Sequence, residues 1–496
     1  MSGTTRLFQR FLSLVGPKML GTIIAVVSTP VVVRLLGPGG YGDYAVLLSM
    51  YSLYMIPISA AVTEGVQKFV AEERGDGWVE RVIQFYLVLA VTLGVLGSAL
   101  LFVLTRLGVG TVFGDGFTAY LYVLAAFVLV GQCRALSMHT VLGFGLEHVQ
   151  GPLGVVKKVV TVSVGIGLVA GGFGVVGMLA GHILANGVVA VAAAAVVIRR
   201  ISLRRLLALP RSIPYREFLS FNVLNVVLVL LVMSLFHVDV VMVRTLVGGA
   251  ETGYYKAALA LAEYIWIVPI VLQTLLLHSS SSLWSEERYE QITELAGRIT
   301  RYTTLLVLLM AVGLASLAHR VVPLYYGQQF AVATTPLLLL LPGAVGFAVA
   351  RPLQAICQGS GRLRPLLAAV AVAAVTNVAL NAALIPAYGI SGAALATSVA
   401  YGSMFVLLVA TARHIGYDPL VDFRPARIAV TALATGVAVV WTDRVFETDV
   451  LALVVVPAVG LAVFAAAALL SGALDREEVL AAVDRLPLPF AANPAA

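Results

Sequence analysis

Charge is scarce in this chain. Only 11% of its 496 residues are Asp, Glu, Lys or Arg, while 60% are hydrophobic. A water-soluble domain cannot hide that much apolar surface, so most of the chain must be solvated by lipid. Cysteine is almost absent as well. Cys133 and Cys357 both lie inside apolar runs, with no CxxC or His spacing, which points to buried packing and away from a metal site. No Walker A sequence, HExxH or nucleophile elbow occurs, so neither P-loop nucleotide hydrolysis nor a familiar catalytic constellation is expected. The chain therefore reads as a non-enzyme without a cofactor. No cleavable signal peptide is expected either, because the first apolar span begins near Leu12 without the small-residue pattern that should follow.

What is there instead is a series of long apolar runs. Roughly 20 apolar residues cross ~30 Å of hydrocarbon. Only helices and closed barrels can cross, because the backbone must satisfy its own polar groups. The runs are continuous rather than alternating in ten-residue blocks, which selects helices over a barrel. Fourteen spans are expected: 12–36, 43–65, 81–105, 117–139, 152–171, 174–198, 219–243, 253–277, 302–319, 331–354, 364–386, 389–412, 426–442 and 449–472. With the amino terminus inside, 24 of the 32 Lys and Arg residues fall on inner loops and helix ends and six on outer ends. The positive-inside rule is then obeyed with both termini cytoplasmic. The net charge of +7 is mainly this topology signal, and nucleic-acid binding is not needed to explain it.

The sequence also repeats. RLLGPGGYGDY at 34–44 returns as RTLVGGAETGYY at 244–255, with Gly37, Gly42 and Tyr44 mapping to Gly248, Gly253 and Tyr255 at a spacing of 211. Glu72 and Arg74 return as Glu286 and Arg288 at 214, GFG at 143–145 as GSG at 359–361 at 216, and FGVVG at 173–177 as YGISG at 388–392 at 215. The common order and near-constant offset imply a tandem duplication: a six-helix bundle over 1–210, a second over 211–425, two further helices over 426–472 and a cytoplasmic tail over 473–496. Six spans is an even number, so the two bundles enter the membrane in the same direction. Gly37, Pro38 and Gly42, with Gly248 and Gly253, mark the tight outer turn after the first helix of each bundle. The segment 282–301 carries Ile292, Leu295 and Ile299 at helical spacing among charges. It reads either as a short amphipathic helix on the membrane surface or as a solvated loop helix.

Ionisable groups inside spans usually face a partner or a wet cavity. Lys18 in span 1 either faces a cavity and grips phosphate or snorkels to headgroups, and Lys157 and Lys158 suit snorkelling better. Arg134 and Arg351 hold equivalent places in the two halves and either ring a cavity or fix helix ends. Asp239, with Arg244, Lys256 and Glu263, forms either a coupling site for a proton or ion or a structural network that closes the outer side. Glu64 lies near the inner end of span 2. His139, His182 and His237 lack metal-ligand spacing and are expected to be packed polar residues.

RLLGPGGYGDYAVL at 34–47, RPLQAICQGSGRLR at 351–364 and YGISGAALATSVAY at 388–401 resemble the polysaccharide-transporter, or O-antigen flippase, branch of the multidrug/oligosaccharidyl-lipid/polysaccharide exporter superfamily. The resemblance covers about 1–470. It implies an all-α polytopic fold of two six-helix bundles in a V with two added helices. It also implies a protein that flips lipid-linked oligosaccharides to the outer leaflet of a prokaryotic plasma membrane, beside glycosyltransferases or a polymerase and driven by a proton or sodium gradient where one is used. In that family cavity cations meet the lipid pyrophosphate or acidic sugars. Lys18 is the first residue to carry over, followed by Arg134, Arg351 and Lys157. Two other readings compete: a multidrug or cation antiporter, which should have an acidic cavity, and a membrane glycan polymerase, which should have large outer loops with paired carboxylates.

Overall fold

A chain that must satisfy its backbone within lipid should be nearly all helix, and so it is. The computed structural model describes residues 3–72, 74–114, 116–206 and 223–478, and no strand occurs among them. The main helices are α1 (Gly3–Ala71), α2 (Trp78–Arg106), α3 (Phe117–Gly143), α4 (Glu147–Leu168), α5 (Gly174–Ile198), α6 (Val223–Leu246) and α7 (Gly249–Glu263). After them come α8 (Ile267–Ser285), α9 (Tyr289–Tyr326), α10 (Thr334–Gly359), α11 (Leu363–Ile415), α12 (Pro425–Asp443) and α13 (Asp449–Ser471). The expected boundary at 210/211, most of the tail after 478, and Arg211, Arg216 and Arg485 lie outside the described residues.

Among the described residues, eleven helical runs are long and apolar enough to cross a bilayer. Three of them, of 56, 52 and 53 residues, are more than twice as long as a crossing needs. Glycine breaks each one: Gly37 (φ 66°, ψ 178°) in α1, Gly172 (φ 91°, ψ 4°) between α4 and α5, and Gly389 (φ 56°, ψ −135°) in α11. Gly37 occupies a backbone region open almost solely to glycine. Counting each broken run as two gives the fourteen expected segments.

The duplication is written into the backbone. Gly174 (φ 49°, ψ −134°) nearly superposes in conformation on its repeat partner Gly389, and Gly145 (φ 69°) on Gly361 (φ 71°). The repeated acid–base motif closes the same ion pair twice, Arg74 to Glu72 at 2.6 Å and Arg288 to Glu286 at 2.9 Å.

Compactness divides the chain into two units. The first holds Met1–Ala260, Tyr325–Leu339 and Leu367–Ala400; the second holds Leu261–Leu324, Leu340–Leu366 and Tyr401–Ala496. Within the first unit the two repeated turns pack on each other. A Cβ placed on Gly42 would lie 1.9 Å from the Gly249 carbonyl oxygen, and one on Gly253 would lie 2.0 Å from that of Pro38. At the offset of 211, Pro38 is the counterpart of Gly249 and Gly42 of Gly253, so the contact is reciprocal. Lipid supplies no hydrophobic drive between helices, and close backbone approach through small residues is how such contacts gain energy. Nearby, Pro30 has no N–H to offer Val26 one turn earlier. The Tyr325 hydroxyl donates to that freed Val26 carbonyl instead.

In the second unit α9 is fastened to the carboxyl-terminal helix pair at two levels. Arg301, fully buried, pairs with Asp422 and Glu478. Arg320 donates to Asp443 at 2.8 Å, to Asp449 at 2.7 Å and to the Phe446 carbonyl at 2.7 Å. Nineteen residues of helix separate the two arginines, about 28 Å at 1.5 Å per residue, which matches the hydrocarbon thickness. Outside that thickness, Arg424 hydrogen-bonds Asp475 at 2.8 Å and holds its carboxyl below the ordinary aspartate range.

Segment 282–301 is neither of the two expected objects. Helix α9 runs unbroken for 38 residues from Tyr289, so 289–301 is the continuation of a spanning helix. Ile292 and Ala296 are buried within the protein, and Gly297 lies so close to the Val421 carbonyl that a Cβ would sit 2.3 Å away. The apolar stripe packs on protein, not on membrane.

Overpacking a tight backbone contact costs about 1–3 kcal/mol. Gly42→Ala and Gly253→Ala are therefore expected to lower the melting midpoint of the detergent-solubilised protein by several degrees. Gly39→Ala, which meets no atom within 4 Å, should leave it unchanged. Equal melting of all three variants would remove the glycine contact as a source of stability.

Candidate functional site

The first unit contains a cavity of about 510 Å³. Its walls come from α1 through Ile24–Val32, from α3 through Arg134, and from α4 through Gln150, Lys157 and Lys158. Among the described residues, no Asp or Glu lines it. Arg134 and Lys157 are half-buried. Lys158 lines the cavity with its stem and donates to the Gly21 carbonyl at 2.6 Å, tying α4 to α1. Snorkelling, the favoured expectation for this lysine pair, gives way to cavity lining. The cause is local: α4 packs against α1 and α5, and this face of the helix meets protein rather than headgroups.

A second cavity, of about 320 Å³, adjoins the first and shares Tyr41, Tyr44, Lys157 and His182 with it. It lies closer to the end of the bundle where Gly37 turns the chain. Lys256 and His237 enter it from the second repeat. One wall is a stacked aromatic pair, Tyr51 on Phe127, with ring centres 3.8 Å apart and planes at 5°. Gly131 makes this stack possible, since a Cβ there would sit 1.9 Å from the Tyr51 hydroxyl. The Tyr44 hydroxyl meets His182 Nε2 at 2.8 Å where the cavities join, and His237 Nδ1 lies 3.3 Å from the Ser49 hydroxyl. His182 and His237 are thus cavity residues, while His139, at 3.1 Å from Gln67, is the packed polar histidine expected of all three.

Asp239 sits apart from both cavities and is fully buried. It accepts from the Tyr255 hydroxyl, from its neighbour's backbone at Val240 (2.8 Å) and from the Thr397 hydroxyl (3.2 Å). Asn377 joins through Thr397 at 3.4 Å, and Asn381 donates to the Asn377 carbonyl at 2.8 Å. The side-chain oxygens of Asn377 and Asn381 are buried with no hydrogen-bond partner. A fully buried carboxylate inside a span is a costly arrangement unless a cation or proton completes it.

The structure separates some residues that the sequence grouped. Lys18 is exposed and lines neither cavity. Arg351, in the second unit, lies over the Trp266 ring at 4.9 Å and the Phe347 ring at 4.8 Å and donates to Gln273 at 3.2 Å. Cation–π contact of this kind holds the guanidinium among aromatic rings, and Arg351 lines neither of the two cavities. Glu64 is exposed, Glu263 is half-buried at the end of α7, and neither lines the cavities. Arg244 pairs with Asp43 at 2.9 Å and donates to the Phe113 carbonyl, joining the second repeated turn to the first. Lys256 lines the smaller cavity and still interacts electrostatically with Asp239, the residue it was grouped with from sequence. Sequence reasoning missed Thr397, Asn377 and Asn381 as Asp239's surroundings. An Asn pair four residues apart in an Ala/Val helix was the available signal.

Known proteins supply the comparison. No curated protein sequence matches the chain. Solved folds do, and three of them follow. A lipid II flippase MurJ in an inward closed conformation aligns at TM-score 0.70 and 14% identity, covering 91% of this chain and 98% of that one. An inward-facing multidrug resistance MATE family transporter of the MOP superfamily gives 0.66 and 16%, covering 82% and 97%. A MOP superfamily transporter from Pyrococcus furiosus, described as having a binding pocket of reverse polarity, gives 0.60 and 17%, covering 82% and 95%. At these identities the likeness establishes fold. The chain is thus a multi-pass membrane protein with the fold of MOP superfamily transporters. The polysaccharide biosynthesis protein family model matches residues 31–335, most of the chain and both repeated turns, and this protein belongs to that family.

Proposed function

We propose that this protein is a flippase that moves a polyprenyl-phosphate- or pyrophosphate-linked oligosaccharide from the cytoplasmic to the outer leaflet of a prokaryotic plasma membrane, for cell-surface polysaccharide or glycoprotein synthesis. The observation that carries this reading is the polarity of the larger cavity: Arg134, Lys157 and Lys158 line it and no carboxylate does. A glycolipid headgroup cannot cross ~30 Å of hydrocarbon unaided, because each unpaired polar group costs several kcal/mol there. A wet cationic cavity replaces the water around the phosphate while the polyprenyl tail stays in lipid. Alternating access then delivers the headgroup to the far side. The charge bias of the loops supports cytoplasmic termini. A drug or cation antiporter would need the opposite polarity.

Asp239 supplies the coupling site in this reading. The Asp239 carboxylate and the Thr397 hydroxyl are hard oxygen donors of the kind a sodium ion takes, and Asn377, whose amide oxygen has no partner, joins the same network through Thr397. The Tyr255 hydroxyl closes the site on one side.

Two experiments test the proposal. In cells carrying Arg134→Gln with Lys157→Gln at normal protein level, lipid-linked oligosaccharide should accumulate where an added glycosidase cannot reach it. Unchanged access of the glycosidase would sink the cationic-cavity reading. In proteoliposomes, headgroup translocation should rise with a sodium gradient in the native protein, and Asp239→Asn should abolish that response. A native protein indifferent to sodium but driven by a proton gradient would move the coupling role to the protonated carboxyl.

A further inference from the structure

Orientation in the membrane asks only that positive charge lie on the inner side. One cluster carries more than that. No Asp or Glu occurs between Glu147 and Glu217. Within that acid-free stretch, Arg199, Arg200, Arg204 and Arg205 follow directly on a spanning run that ends at Ile198. The turn that holds them is docked on the first bundle. Ile201 and Leu206 pack against the core built by α1, α2, α3 and α5. The Ser202 backbone N–H donates to Glu80 at 3.3 Å, and Arg205 pairs with Asp76 at 2.5 Å. The Ser202 carbonyl closes one helical turn by accepting from the backbone of Arg205 and Leu206, each at 3.0 Å. With the turn anchored in this way, Arg199, Arg200, Leu203 and Arg204 remain exposed. Among the described residues, these three arginines meet no carboxylate.

The second repeat meets the same topological need differently. At the offset of 215, Arg199 and Arg200 fall on His414 and Ile415 at the end of α11. The arginines around that end have acids of their own. Arg413 pairs with Asp418 at 3.3 Å, and Arg424 pairs with Asp422 at 2.5 Å and Asp475 at 2.8 Å. The first repeat instead leaves its cations without counter-charge, beside the exposed apolar side chains of Ile198 and Leu203. Guanidiniums at the end of a span, next to exposed apolar groups, match a surface that is anionic above and apolar beneath. The planar fork of arginine holds phosphate through two parallel hydrogen bonds. Basic clusters next to a spanning helix draw anionic lipid. We infer that Arg199, Arg200 and Arg204 form a docking site for anionic phospholipid headgroups, whose phosphates supply the counter-charge that the chain omits at this end of α5. On the orientation that the loop charges support, the lipid belongs to the cytoplasmic leaflet. None of the three arginines lines either cavity, so the site takes resident lipid and not the translocated headgroup.

The test titrates the full-length protein in neutral detergent with dioleoylphosphatidylglycerol or dioleoylphosphatidylcholine and follows the melting midpoint. A lipid that binds the folded state raises that midpoint. Phosphatidylglycerol should raise it, and phosphatidylcholine at the same concentration should not. Arg199→Gln, Arg200→Gln and Arg204→Gln together should increase the phosphatidylglycerol needed for half the effect by roughly tenfold or more. Where the triple variant folds poorly, Arg200→Gln alone should increase it by about threefold to fivefold. Arg413→Gln removes an arginine that already has its acid and should leave the requirement unchanged. An equal response to the two lipids, or an unaltered requirement in both variants of the cluster, overturns the inference. An equal rise with inorganic phosphate overturns it too, because the ligand would then be free phosphate. Loss of the response in Arg134→Gln, with the cluster variants responding normally, would put the lipid in the larger cavity and also overturn it.

Discussion

The structure turns on one constraint: inside lipid, a polar group without a partner has no water to fall back on. Every feature that distinguishes this bundle from a generic set of apolar helices answers that constraint. Pro30 frees a carbonyl, and Tyr325 reaches it. The α1–α4 contact is closed by Lys158 on the Gly21 carbonyl. Arg301 is wholly buried and carries two carboxylates with it. Against this background, the groups left incompletely satisfied stand out. Among them are the amide oxygens of Asn377, which joins the Asp239 network, and of Asn381, and the Arg134 Nε at the larger cavity.

Those two places are related by the duplication. Tyr44 and Tyr255 are repeat partners at 211. His182 and Thr397 are partners at 215, the offset of the FGVVG and YGISG motifs just before them. Tyr44 bonds His182 at 2.8 Å, and Tyr255 meets Thr397 at 2.9 Å. The same tyrosine bridge was therefore copied with the half. In the first repeat it stands between open chambers rich in cations. In the second it closes over a carboxylate. On the proposed reading, a single scaffold element has diverged into an anion-facing site and a cation-facing site. On the proposed reading, substrate and ion use equivalent positions in the two repeats.

Much of this was legible in the sequence, and the reason is physical. Helical spans are fixed by run length alone, and the turns by glycines that no other residue can replace, as at Gly37 with φ 66° and ψ 178°. Arg134, Lys157, Lys256 and Asp239 could be picked out because a charge in a span is rare. Their grouping could not, because it depends on which helix faces meet. Arg351 looks equivalent to Arg134 in sequence, yet Trp266 and Phe347 enclose it in aromatic rings that no periodicity announces. The 289–301 stripe has the amphipathic pattern of a surface helix, but the pattern is silent on whether protein or membrane receives it. Asn377, Asn381 and Thr397 are neutral and small, and only their convergence on Asp239 gives them meaning.

The adjacency of Tyr255 and Lys256 links the two sites more closely than their separation suggests. Successive residues on a helix point about 100° apart, so α7 presents Tyr255 to Asp239 and Lys256 to the smaller cavity at one level. Any rotation or shift of α7 that adjusts the Tyr255 hydroxyl to an ion at Asp239 must also move the Lys256 ammonium in the substrate chamber. Coupling of this kind is reciprocal in free energy: if the ion alters the affinity of the headgroup, the headgroup alters that of the ion by the same factor. The glycine contact between Gly42 and Gly249 lies about two turns before Lys256 on the same helix, and it joins α7 to the first repeated turn. On the proposed reading, ion site, substrate chamber and inter-repeat contact therefore share one short element, and a change in any of them reaches the others without a long path through the fold.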